Sequence, residues 1–191
     1  MSDLVFSVFI NLAYESRLSV YDQNKLYYLT FQIVQWVDVF TRNEYQQVIV
    51  NSFDYCKKNK GLELYAYVIM TNHIHVIARA NEPFHLSDII RDFEKFTANE
   101  LLSLMQQPTE SRSDWMMKRF EFSAKSNARN SVFQLWTHEN HAIELLTPKF
   151  TQQKLDYIHN NPVRAGIVEK ARRSFIQQRK KLCRFERDGR D

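Results

Sequence analysis

A chain of 191 residues and 22.9 kDa, 44% hydrophobic and 14% aromatic, can bury one well-packed core and is too short for two. Its three glycines (Gly61, Gly166, Gly189) are too scattered for a Walker-type loop or a dinucleotide fingerprint, so no nucleotide cofactor is implied. Cys56 and Cys183 form no Cys-x-x-Cys pair and suit a reducing, cytoplasmic setting without zinc knuckle or disulfide framework, while the net charge of +4 is unevenly placed: residues 164–191 carry ten Lys or Arg against four acids, a +6 that leaves −2 for the rest and forms an electrostatic footprint for nucleic acid.

Residues 1–24 read as an N-terminal extension. Its apolar run, residues 4–13, is about half the roughly twenty residues that span a bilayer, and Asp3 stands where a secretory leader carries basic residues, so no membrane partner is expected. Residues 26–34 combine aromatic and β-branched side chains as a buried strand does. A helix follows over 42–58, with Thr41 as N-cap and Tyr45, Val48, Ile49 and Phe53 at helical spacing; Lys57, Lys58 and Lys60 complement its C-terminus, and Gly61 supplies a left-handed cap. Strands over 62–70 and 73–80 are joined by the Thr71-Asn72 turn.

In the second of these strands side chains alternate between faces, so His73 and His75 project together while Ile74 and Val76 take the opposite side. Two imidazoles preset by the backbone begin a divalent-metal site that a third ligand would complete. A helix over 86–105 places Ile89, Ile90, Phe93, Phe96, Leu101 and Leu104 on one side. Residues 106–131 show sustained periodicity only around 115–122; with Arg112, Lys118, Arg119, Lys125 and Arg129 they read as a long, basic, mobile connection that contacts substrate. Residues 132–136 and 139–146 offer a further strand or strand pair, and Trp36, Trp115 and Trp136 read as core or loop anchors. The order predicts a ferredoxin-like α+β fold, an antiparallel sheet with two helices on one face.

Thr147 and Pro148 supply an N-cap and first-turn proline for the next helix, which Asn160-Asn161-Pro162 ends. Leu155 and Ile158 mark its apolar stripe. Tyr157 lies roughly 130° from that stripe at about 100° per residue, and shares a polar face with Gln153, Lys154, Asn160 and Asn161.

Three segments carry a family likeness: Tyr-Val-Ile-Met-Thr-Asn-His-Ile-His at 67–75, Glu-Asn-His-Ala-Ile at 139–143, and Asp-Tyr-Ile-His-Asn-Asn-Pro-Val-Arg-Ala-Gly at 156–166. From about Lys25 to Val168 the chain resembles the single-tyrosine HUH transposases of the IS200/IS605 type, most closely their REP-associated (RAYT) branch. The resemblance implies an HUH endonuclease fold over 25–168 with a C-terminal tyrosine-bearing helix, followed by a basic tail over 169–191. It implies Tyr157 as nucleophile, His73 and His75 as ligands of Mg²⁺ or Mn²⁺, and Asn161 in the place of the third ligand, for which Gln153 and His159 compete. Replication-initiator relatives carry a lysine at that place, so Asn161 favours the transposase branch.

The implied partner is single-stranded DNA beside an imperfect hairpin, cut and rejoined through a 5′-phosphotyrosine by a monomer or homodimer. Lys154, Arg112, Lys118, Arg119, Arg164, Arg172 and Arg173 are the candidate DNA contacts. Two rival readings use the same residues differently. A hairpin-binding regulator would form no covalent adduct, and a metal-dependent hydrolase of small phosphoesters would not need Tyr157.

Overall fold

In the computed structural model, residues 20–125, 132–138 and 141–166 are described. They form β1 (Tyr27–Gln32), α1 (Asn43–Asn59), β2 (Leu62–Ile69), β3 (His73–Ala80), α2 (Leu86–Met105), α3 (Ser113–Lys125), β4 (Ala142–Glu144) and α4 (Pro148–Arg164). The strands pair antiparallel in the order β2-β3-β1-β4, a ferredoxin-like α+β sheet.

Strand alternation divides the interior in two. Tyr27, Leu29 and Phe31 of β1 and Ile74, Val76 and Ala78 of β3 join Phe53 of α1 and Ile90 and Phe93 of α2 in the larger core, where the Phe53 and Phe93 rings stack at 4.8 Å. On the opposite face Tyr28, Tyr65, Val68 and Ile77 pack with Leu155 and Ile158 of α4. A bulge lets β2 serve both: Leu64 pairs with Ala78 and Ala66 with Ile77, so Tyr65 is the extra residue and the alternation changes phase there. Leu62 and Leu64, then Tyr67 and Ile69, therefore all reach the larger core.

Several local expectations are corrected by packing. The N-cap of α1 is Arg42, without a side-chain cap; Thr41 Oγ1 instead accepts from Arg112 Nη1 at 2.9 Å. Phe96 is 52% exposed rather than core. The stretch read as a mobile connection contains α3, thirteen residues long, seated by the fully buried Met116 and Phe120; its apolar face is narrow, and exposed Trp115 and Phe122 blur the periodicity. Of the two strand segments expected after it, only Ala142–Glu144 forms a strand, while Trp136 makes a single bridge to Ile33 and is buried.

The N-terminus of α4 is as expected, Thr147 Oγ1 accepting from the Phe150 N–H at 3.2 Å. Its C-terminus runs past Pro162 to Arg164 and stops before Gly166 at φ 69°. A proline removes one helical hydrogen bond, and packing of Leu155 and Ile158 tolerates that; a glycine in the left-handed region is the stronger stop. Gly61 also takes the left-handed conformation, at φ 66°, and a Cβ there would lie 2.3 Å from the Phe84 ring. No helix among the described residues is long and apolar enough to cross a membrane.

Candidate active site

The histidine pair sits on the α4 side of the sheet, opposite β1: Thr30 pairs with His75 and Gln32 with His73. Their ring centroids are 4.7 Å apart. His75 is buried, stacked on Tyr28 at 5.4 Å, with Nδ1 at 3.0 Å from Thr30 Oγ1 and a buried Nε2 that has no hydrogen-bond partner. Burial, aided by the positive charge of His73 and Lys154, pushes its pKa down to about 3, so the ring is neutral across the physiological range. Burial also lowers the pKa of His73.

The tautomer of His73 follows from its neighbours. Asn72 Nδ2 donates to Asp38 Oδ1 at 2.9 Å and to the Trp36 carbonyl at 3.3 Å, while Asn72 Oδ1 lies 2.7 Å from His73 Nδ1. A carboxylate only accepts, so the amide nitrogen belongs toward Asp38 and the amide oxygen toward the ring. His73 Nδ1 therefore carries the proton and Nε2 presents a lone pair, the arrangement by which an outer hydrogen bond orients a ligating histidine.

Helix α4 brings the remaining groups across from the far end of the domain. With Leu155 and Ile158 in the core, Tyr157 faces outward, 39% exposed, its ring 5.3 Å from His75 and 6.3 Å from Tyr28. Lys154 Nζ stands 4.5 Å from the centroid of the Tyr28 ring, and desolvation lowers its pKa. Lys149, Gln153, Lys154, Tyr157 and Asn160 line an open cavity of about 450 Å³. One turn beyond Tyr157, half-buried Asn161 has a buried Nδ2 without a hydrogen-bond partner, and an amide flip would turn its oxygen into that place.

These orphaned polar atoms test the site as a cation centre. The buried, unpartnered His75 Nε2, the lone pair left on His73 Nε2 and the oxygen that a flipped Asn161 amide would present are donors of the types that suit Mn²⁺ or Mg²⁺. Among the described residues no group of three or more His, Cys, Asp or Glu is arranged to hold a metal.

Residues 25–132 match the family model described as Transposase IS200 like. The chain belongs to the IS200-like transposase family. The match includes both histidines and ends before α4, which carries Tyr157 and Asn161. No curated protein matches the chain. Among solved structures, a REP-associated tyrosine transposase bound to a REP hairpin is similar at a TM-score of 0.53 and 17% identity, over 77% of this chain and 72% of its own, a likeness of fold. A candidate transposase from Deinococcus radiodurans R1 has a TM-score of 0.45 and 16% identity, over 76% and 97%.

The basic residues of this transposase divide by their partners. Arg112, expected as a DNA contact, is committed inside the fold: it bonds Glu110 through Nε and Nη2 at 3.1 Å each and the Asp38 carbonyl at 3.0 Å. The Glu110 side chain is 1% exposed and also bonds Arg42 and Tyr45, and Arg112 foremost holds its pKa down to about 2. Lys118 and Arg119 are exposed on α3, and Arg119 Nη1 donates to Gln35 Oε1 at 3.0 Å. Lys125 pairs with Glu121. His141 is exposed and His159 half-buried. Arg164 ends α4, whereas Arg129, Arg172 and Arg173 lie outside the described residues.

Three residues beside the histidines escaped sequence reasoning: Trp36, Asp38 and Asn72. Trp36, read as a core or loop anchor, is 62% exposed. The available signal was Asn72, whose amide directly precedes His73 in the strand turn.

Proposed function

We propose that this transposase cuts single-stranded DNA beside an imperfect hairpin and transfers the cut strand through a 5′-phosphotyrosine at Tyr157. The observation that carries the reading is the convergence of Tyr157 on His75, 5.3 Å between ring centroids, although α4 and β3 lie far apart in the chain. A solvent-facing phenol beside two neutral, oriented imidazoles suits phosphoryl transfer better than packing. The shared fold of a transposase solved with a REP hairpin supports hairpin DNA as the substrate class.

In the proposed step Tyr157 Oη attacks the phosphorus in line with the 3′-oxygen. The O–P bond forms as the P–O3′ bond breaks, the phenol proton leaves, and the departing oxygen takes up a proton to become a free 3′-OH. Lys154, one turn before Tyr157, attracts the phosphate, while Thr30 and Asn72 hold the two rings in position. The Nε2 atoms of His73 and His75 with the Asn161 amide oxygen would hold Mg²⁺ or Mn²⁺, which supplies Lewis-acid polarisation of the phosphate. One phosphodiester replaces another, so a new 3′-OH can reverse the step without nucleotide hydrolysis.

The test is a denaturing gel of the full chain with Mn²⁺ or Mg²⁺ and 3′-labelled hairpin DNA flanking its own gene, with Tyr157→Phe alongside. A metal-dependent covalent band absent from Tyr157→Phe is expected. Binding without adduct across several flanking hairpins would instead make the chain a hairpin-binding regulator, and phosphoester hydrolysis that survives Tyr157→Phe would make it a hydrolase.

A further inference from the structure

Between β1 and α1 the turn Val34–Trp36 places two consecutive non-glycine residues in the left-handed region, Gln35 at φ 54° and Trp36 at φ 56°. L side chains clash with the backbone there, and such conformations persist only where the surroundings impose them. The surroundings here are specific. Gln35 is tied to α3 through Nε2 to Ser123 Oγ at 3.0 Å and Oε1 to Arg119 Nη1 at 3.0 Å, the Val34 N–H donates to the Leu135 carbonyl at 2.9 Å, and the Trp36 carbonyl accepts from Asn72.

What this strained turn presents is an indole that remains 62% exposed. The ring of His73 lies 6.3 Å away, T-shaped at 76°. An exposed indole stabilises the free chain little, yet its backbone is held from α3 on one side and from the Asn72 amide on the other. That same amide orients His73, so one side chain binds both the Trp36 backbone and the imidazole.

We propose that Trp36 is a stacking platform for one nucleobase of the single strand, immediately beside the phosphate that His73 and His75 address. The inference rests on the single-stranded DNA reading above and adds to it a defined base position. Indole is a large π-surface, and stacking on it accepts any base, purines most strongly. Exposed Arg119, hydrogen-bonded to the same turn, supplies the neighbouring positive charge for the backbone. The occupant is therefore an unpaired base, since a paired one would be buried within its duplex stack.

The experiment uses the full chain carrying Tyr157→Phe, so that DNA stays uncut, and measures affinity for the flanking hairpin DNA with an abasic site moved along its single-stranded extension. Trp36→Ala is expected to weaken binding about ten- to a hundredfold and Trp36→Phe to recover most of that. One abasic position should weaken the Trp36 chain by a similar factor and leave the Trp36→Ala chain unaffected. Equal affinity of the Trp36 and Trp36→Ala chains, or a loss in Trp36→Ala that is the same on top of every abasic position, would overturn the platform; with the covalent band still formed by the wild type, the transposase reading would stand. A wild-type chain that neither binds nor joins any of these DNAs overturns both.

Discussion

The two faces of the sheet are built to different ends. On the α1 and α2 face, alternate residues of every central strand meet apolar side chains, and Phe31, Phe53, Phe93 and Trp136 form a continuous aromatic cluster. On the α4 face the apolar packing covers only part of the sheet, and the remainder is His73, His75, Thr30, Lys154 and Tyr157. A buried imidazole nitrogen without a partner costs about 1–3 kcal/mol, a penalty that the second face accepts at His75 and that is absent from the first face among the described residues. One face therefore carries the larger apolar core, while the other carries the polar groups on which the proposed chemistry rests.

The comparison can be broken by substitutions that should separate chemistry from stability. Tyr157→Phe has the largest expected effect on function: the covalent DNA band disappears, while the unfolding free energy in urea stays within about 0.5 kcal/mol of wild type because the ring and its contacts with His75 and Tyr28 are kept. Loss of stability in this variant would mean that α4 depends on Tyr157 for packing. Phe93→Ala should do the reverse, lowering unfolding free energy by about 3–5 kcal/mol in urea titrations. If it cost less than about 1 kcal/mol, the first face would not be the principal core.

Glu110 sharpens the same contrast by pH. Its folded pKa of about 2 lies below the ordinary 4.5, so its stabilisation is present in full above about pH 4.5 and is lost as pH falls toward 2, an effect of about 3 kcal/mol. Urea midpoints measured between pH 6 and pH 3 should fall more steeply for wild type than for Glu110→Gln; parallel curves would remove Glu110 as the source. The smallest expected effect belongs to Asn72→Ala. Freed from its amide, His73 should lose orientation, raising the Mn²⁺ concentration needed for half-maximal adduct about 10–100-fold with little change in the urea midpoint. An unchanged Mn²⁺ requirement would show that the imidazole needs no such support.

Local chemistry wrote much of this molecule into its residues. Alternation around His73 and His75 put both rings on one face, Gly61 marked the end of α1, Thr147 and Pro148 marked the start of α4, and the positions of Leu155 and Ile158 turned Tyr157 outward. Each of these is a short-range consequence of backbone period or capping. The departures were long-range. The carboxylate of Glu110 claimed Arg112, burial of Met116 and Phe120 organised α3, and hydrogen bonds from α3 and Asn72 held Trp36 in a strained, exposed turn. Periodicity reports which side of an element is polar, but not which polar side of another element it will meet. The approach of Tyr157 to His75 was decided only when the apolar stripe of α4 docked on the sheet, because packing between distant segments, and not local geometry, selects that partner.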